Sequence, residues 1–378
     1  MATAENPMVI GALVVFDEPL PRAALETLVR ERLLPHARFR QPVEEEGGPR
    51  WADDQPFRVA AHLHESRASA GELAALAGPA LSGPLPAGRS PWDFHLIQLD
   101  DGRSALLVRL HHCLADGQAL LTLLADLTGA PPPEVPAHRR PFGASLAGLA
   151  RFVTMPDDPP SALRGRPSGE KRVAWSARLP LAPLKARAHQ LGCPLTPFLL
   201  AALAGALGRY LRERGERPTP LRALIPVAAP VRRGELGNHF SSVFVRLPVG
   251  EADLLRRLDL IGEEMARVGE SRLARGLTGL AGALSAGLER RAVQRWSRKA
   301  SLVVSSLRGP AEPVRIAGRT VRDLVVWVPT PASIALGLSL FGYAGALRLG
   351  VLADAGVMSH PGALVAAFER ELNYNSRA

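Results

Sequence analysis

The chain has 378 residues, a length that suits two or three domain-sized units. Its 47% hydrophobic and 22% charged residues provide for a large core and exclude global disorder. A net charge of +10, from 46 basic against 36 acidic residues, first suggests nucleic acid. However, no nucleic-acid motif is present, no basic stripe carries interleaved aromatics, and the arginines sit among acids, as in Arg30-Glu31-Arg32 and Arg212-Glu213-Arg214. Nucleic acid is therefore not an expected partner, and the positive charge better suits an anionic cofactor or a membrane surface.

Cys113 and Cys193 are too few for a disulfide framework and point to a reducing compartment. No apolar run reaches the roughly 18–20 residues of a membrane span, and the N-terminus lacks a basic start and an apolar signal region. The expectation is a cytoplasmic chain.

The apolar run Val9–Phe16 (VIGALVVF) predicts a strand between the breakers Asn6-Pro7 and Glu18-Pro19. Leu25, Leu28, Val29 and Leu33 recur at helical spacing over 22–34. Residues 92–99 (WDFHLIQL) alternate as a strand, Asp101-Gly102 marks a turn, and 104–110 (SALLVRL) returns. This hairpin ends at His111 and His112, and a helix follows over 117–127. Prolines from Pro131 to Pro167 punctuate 129–171, with a short amphipathic helix at 146–153.

In the second half, strands are predicted at 172–179, 221–227, 242–247, 302–306, 317–327, 333–340 and 347–353. Helices are predicted at 184–190, 198–212 (with Thr196 as N-cap and Pro197 in the first turn), 252–267, 272–298 and 362–372. This is a mixed α/β chain: a first lobe, 1–128, a proline-rich crossover, 129–171, and a second lobe, 172–378.

The strongest local signal is His111-His112-Cys113-Leu114-Ala115-Asp116-Gly117, at a strand end just before a helix. Adjacent histidines on a strand point to opposite faces, so one can meet a substrate while the other packs behind. Such a pair can also be a plain turn. A zinc site from His111, His112 and Asp116 lacks the usual ligand spacing, so no metal is expected. Cys113 as nucleophile is disfavoured too, because extended neighbours do not readily hydrogen-bond side chain to side chain.

The string HHxxxDG resembles the active-site motif of the CoA-dependent acyltransferase superfamily, which includes chloramphenicol acetyltransferase and nonribosomal peptide condensation domains. Its surroundings resemble the wax ester synthase/diacylglycerol acyltransferase family within it. The similar stretches are residues 35–41, Trp51 and Phe57, and Arg89-Ser90-Pro91-Trp92-Asp93-Phe94-His95, then Glu235-Leu236-Gly237-Asn238, Val304-Ser305-Ser306-Leu307-Arg308-Gly309-Pro310 and residues 341–354. Their order runs through nearly the whole chain.

The resemblance implies two chloramphenicol-acetyltransferase-like α/β lobes with a central channel and the histidine motif at its middle. It implies an O-acyltransferase that moves a fatty acyl group from acyl-CoA, as substrate and without a cofactor, to a long-chain alcohol or diacylglycerol. His112 would be the general base, since a neutral imidazole suits the task at cellular pH. His111 would pack or orient, Asp116 would be structural and paired with Arg38 or Arg40, and Gly117 would permit the turn. Trp92, Asn238 and Ser306 are candidate substrate contacts, Trp92 equally a core residue. Arg232 and Arg233 suit CoA phosphates or plain solvation.

The departures fall elsewhere: Thr196-Pro197 replaces an Asn-Asp pair, Ser306 an asparagine and Arg308 a proline. They leave open a donor on an acyl carrier protein, and a natural product or envelope lipid as acceptor. A non-catalytic lipid-binding protein is a further alternative, which the intact His112 and Asp116 oppose. The basic helix at 272–298 suits either a membrane or lipid-droplet surface, or packing on its own lobe.

Overall fold

The computed structural model describes residues 5–44, 49–53, 57–129, 154–228, 240–270 and 286–376. In chain order the first part holds β1 (Val9–Phe16), α1 (Arg22–Leu28), β2 (Val43–Glu44), β3 (Arg50–Trp51), β4 (Leu63–Ala68), α2 (Leu73–Ser82), β5 (Trp92–Leu99), β6 (Ser104–His111) and α3 (Gly117–Thr128). The second part holds β7 (Lys171–Trp175), β8 (Leu179–Pro180), α4 (Leu181–Gln190), α5 (Leu195–Arg212), β9 (Leu221–Ala228), β10 (Phe240–Leu247), α6 (Leu254–Glu270) and α7 (Ala286–Ser297). It closes with β11 (Leu302–Arg308), β12 (Arg315–Ile316), β13 (Arg319–Trp327), β14 (Leu336–Tyr343), β15 (Ala346–Asp354) and α8 (Gly362–Ser376).

Two large sheets form. The first runs β12-β13-β1-β6-β5-β4 and the second β10-β9-β11-β14-β15-β7, with β8 also on β15. The boundaries read from the sequence need two corrections. Strands β12 and β13, from the second half of the chain, belong to the first sheet: β13 pairs antiparallel with β1 from Gly11↔Trp327 to Phe16↔Val321. Their apolar residues Ile316, Val321 and Leu324, with Val314 just before β12, complete the first lobe's core, which is why the chain crosses over.

The end of the expected crossover, in turn, is fixed to the second lobe. Buried Asp158 accepts hydrogen bonds from Arg222 N–H at 2.8 Å and from the Ser301 hydroxyl. The Asp354 carboxylate accepts from the N–H groups of Ser168 and Gly169 at 2.8 and 2.9 Å. The helix expected at 146–153 lies outside the described residues.

Helix α5 is apolar almost all round and buried from Phe198 to Leu211 except at Arg209, so it forms the second lobe's core rather than a surface helix. It begins one residue before Thr196, with Pro194 rather than Thr196 at the N-cap. Strands β9 and β11 run parallel but, among the described residues, pair only at Leu302↔Ala223 and Val303↔Leu224. Beyond that point β9 continues with β10 and β11 with β14, so the two strands part.

In α7, Val293 is buried, Trp296 packs edge-on against Phe244 at 5.9 Å, and Arg295, together with Arg298 just after the helix, pairs with Asp157. This described portion of the basic helix is seated on its own lobe. No single helix among the described residues is long and apolar enough to cross a membrane.

Candidate active site

The histidine motif turns between β6 and α3. β6 is held on both sides, by β1 and β5, and its last residue, His111, pairs with Val9. The chain then leaves the sheet. The His112 N–H donates to the Met8 carbonyl at 2.9 Å, and the Leu114 N–H to the His111 carbonyl at 3.0 Å. Met8 has φ +55°, a left-handed conformation that side-chain-bearing residues rarely adopt.

His111 is turned into the turn itself. Its Nδ1 accepts the Cys113 N–H at 3.2 Å, which requires the neutral ring. Burial, and then the neighbouring His112, lower its pKa to about 4, so the ring stays neutral at cellular pH. Burial pushes the Cys113 thiol up to about 11, the opposite of what a nucleophilic cysteine needs.

Asp116 is the N-cap of α3. Its extended backbone (φ −89°, ψ −174°) lets one carboxylate oxygen accept the N–H groups of Gln118 and Ala119, both at 2.9 Å. Arg38, one of the two arginines expected beside it, lies with its guanidinium 4.6 Å from the centre of the Trp51 ring. Arg40 donates to the Leu34 carbonyl.

Gly117, expected to permit a turn, is the first helical residue and its φ is not positive. Its smallness serves close approach: a Cβ there would stand 3.1–3.2 Å from the methyls of Leu307 on β11. The motif thus lies against a strand of the other sheet. Leu307, Phe341 and Tyr343 of that sheet join Leu114, Ala115 and Ala119 in one apolar cluster. The Tyr343 hydroxyl donates to Val321 O at 2.7 Å and accepts from Val314 N–H at 3.0 Å. The half-buried His112 lies in the turn that leads to this contact.

The other expected contacts are placed differently. Trp92 has no exposed surface: His62 stacks on it at 4.4 Å, Phe39 meets it edge-on at 5.9 Å, and its indole N–H donates to the Phe39 carbonyl at 3.0 Å. A ring with no accessible surface lines no channel, so Trp92 is a core residue. Ser306 is exposed on β11, one residue before Leu307 and so on the opposite face of the strand from the Gly117 contact. Asn238 lies outside the described residues, as do Arg232 and Arg233. Sequence reasoning missed Met8 and Leu307. Leu307 lies in a stretch that carries the family resemblance and Met8 just before the first predicted strand, but only the fold shows what they touch.

Two α/β sheets, with the histidine motif turned between β6 and α3 against a strand of the second, are the frame of the two-lobed acyltransferase class. Comparison with known proteins narrows it. Residues 1–145 match the wax ester synthase/diacylglycerol acyltransferase catalytic domain and residues 236–374 the C-terminal domain of the same family. The chain belongs to that family, whose members move acyl groups to hydroxyl acceptors, and is an acyltransferase.

A probable diacylglycerol O-acyltransferase of Mycobacterium tuberculosis and a putative one of Mycobacterium bovis are each 27% identical, over 96% of this chain and 90% of theirs. The fold is similar to a wax ester synthase/diacylglycerol acyltransferase from Marinobacter aquaeolei (TM-score 0.75, 20% identity, 100% of this chain and 97% of that one). It is also similar to the first condensation domain of the calcium-dependent antibiotic synthetase (TM-score 0.66, 18% identity, 100% and 95%).

Proposed function

We propose that the protein transfers a fatty acyl group from acyl-CoA directly to the hydroxyl of a long-chain alcohol or diacylglycerol, with His112 as general base. The observation that carries this reading is the division of labour in the motif. His111 is locked neutral into the turn, Cys113 is held as the thiol and Asp116 caps α3, which leaves the half-buried His112 as the motif's imidazole for proton transfer.

A ring nitrogen of His112 takes the proton of the acceptor hydroxyl as its oxygen attacks the thioester carbonyl. The tetrahedral intermediate collapses with loss of the C–S bond, and the imidazolium returns the proton to the departing CoA sulfur. Ester and free CoA result, and no acyl-enzyme is formed. The parting of β9 and β11 beyond Val303 offers the apolar chain a path that breaks no strand pairing. Contact with a membrane or lipid droplet, where such acceptors reside, belongs to the same reading.

The test is turnover of palmitoyl-CoA by the purified protein with hexadecanol or dioleoylglycerol, following ester and free CoA. Ester with either acceptor supports the reading. Folded protein that gives ester only from a palmitoylated acyl carrier protein, or only with a polar acceptor, overturns it in favour of a specialised tailoring acyltransferase.

A further inference from the structure

A second cluster of donor side chains lies on the first sheet, away from the histidine motif. His64 on edge strand β4 stands directly opposite His95 on β5, and Asp93 precedes His95 by two residues on the same face. The two imidazoles are 4.6 Å apart, centre to centre. One nitrogen or oxygen from each of the three residues lies within 4.8 Å of the others. Asp93 Oδ1 and His95 Nε2 face each other at 3.2 Å. Both atoms are buried, yet among the described residues neither has a hydrogen-bond partner. Two such atoms facing each other need either a proton on Nε2 or a metal ion between them, and the third donor, His64, beside them favours the metal.

We propose that His64, Asp93 and His95 form a binding site for a divalent transition-metal ion of the zinc type. Bonds of about 2.0–2.2 Å to imidazole and carboxylate place neighbouring donors of a tetrahedron roughly 3.3 Å apart, close to the Asp93–His95 separation. The surroundings fit such a site. Arg109 donates to the other Asp93 oxygen at 2.9 Å and to the Gly83 carbonyl at 2.8 Å, so it fixes the carboxylate from behind. Partial desolvation, then the facing His95, lower the His64 pKa and favour the neutral ring that a metal requires. His64 is exposed, which provides an entry path and an open position for water. The bound ion would clamp β4, the outermost strand, to β5. The site is independent of the acyl-transfer reading.

The test uses the full chain, freed of metal and titrated with Zn2+ against a chromogenic chelator, with Co2+ as a spectroscopic substitute. The expected result is one tight ion per chain, a visible Co2+ band characteristic of low-symmetry coordination, and a Zn2+-dependent rise in melting temperature. His64→Ala, an exposed change that leaves the core intact, and His95→Ala should each lose all three. His189→Ala, at an exposed histidine of α4, should lose none. No stoichiometric uptake, or uptake that survives both His64→Ala and His95→Ala, would overturn the proposal and leave a proton shared between Asp93 and His95.

Discussion

The carbonyl of Met8 receives the backbone N–H of His112 at 2.9 Å, and it does so from a left-handed conformation, φ +55°. This conformation costs a side-chain-bearing residue about 1–2 kcal/mol and persists only where its surroundings enforce it. Here the enforcing element is β1, whose next residue, Val9, pairs with His111. The strained residue and the proposed base are therefore fixed relative to each other by one hydrogen bond and one strand.

Met8→Gly should retain turnover, because glycine adopts the same φ without strain and keeps the carbonyl. Met8→Pro fixes φ near −65° and must move that carbonyl. Its kcat should fall by on the order of 10²-fold, the cost of a shift of about 1 Å, with KM and melting temperature much less affected. Steady-state kinetics of the two variants check this.

His111 makes stability depend on pH. The unfolded chain's imidazole takes up a proton near pH 6.5, whereas in the folded chain uptake waits until about pH 4. The unfolded state thus binds more protons in this window, and stability falls as pH drops from 6.5 towards 4, by at most roughly 3 kcal/mol. Denaturation of wild type and His111→Gln at pH 7 and pH 4.5 should show the variant losing less stability on acidification. Equal losses would remove His111 as the source.

With its thiol pushed up to about 11, Cys113 is protonated at pH 7. Cys113→Ala should keep turnover within a few-fold of wild type. Wild type held with acyl-CoA and no acceptor should show no acyl adduct by intact mass. An adduct lost in Cys113→Ala would replace direct transfer with a covalent route.

The Gly117–Leu307 contact couples the motif to the second sheet. Gly117→Val would overpack against Leu307 and should cost about 1–3 kcal/mol, with reduced turnover. Combining it with Leu307→Ala should restore part of both, which a double-mutant cycle of stability and kcat reads as a favourable coupling. Additive losses would mean that the two residues do not share the seam.

The sequence revealed the sheet-forming runs well where burial imposes a clean pattern: Val9–Phe16 and Trp92–Leu99 appear as strands with the expected bounds. It concealed β4, because LHESRA exposes its four central residues at a sheet edge, and α2, because LAALAGPALS carries Gly78 and Pro79 inside a helix. The crossover of β12 and β13 rests on pairing with residues some 300 positions away, which no local pattern encodes. At the site, the residue types and their spacing located His111, His112, Asp116 and Gly117. Trp92 and Gly117 show the limit: one fills a core and the other admits a neighbouring leucine, and both facts depend on packing. The His64–Asp93–His95 cluster likewise emerges only from strand register.

Direct transfer at this site depends on His112 as the base. The most direct measurement is the rate of CoA release and ester formation at saturating palmitoyl-CoA and acceptor, for wild type and His112→Ala side by side. Loss of a general base should lower kcat by roughly 10²–10⁴-fold, with acyl-CoA binding and melting temperature preserved. A His112→Ala protein that turns over within a few-fold of wild type would contradict it.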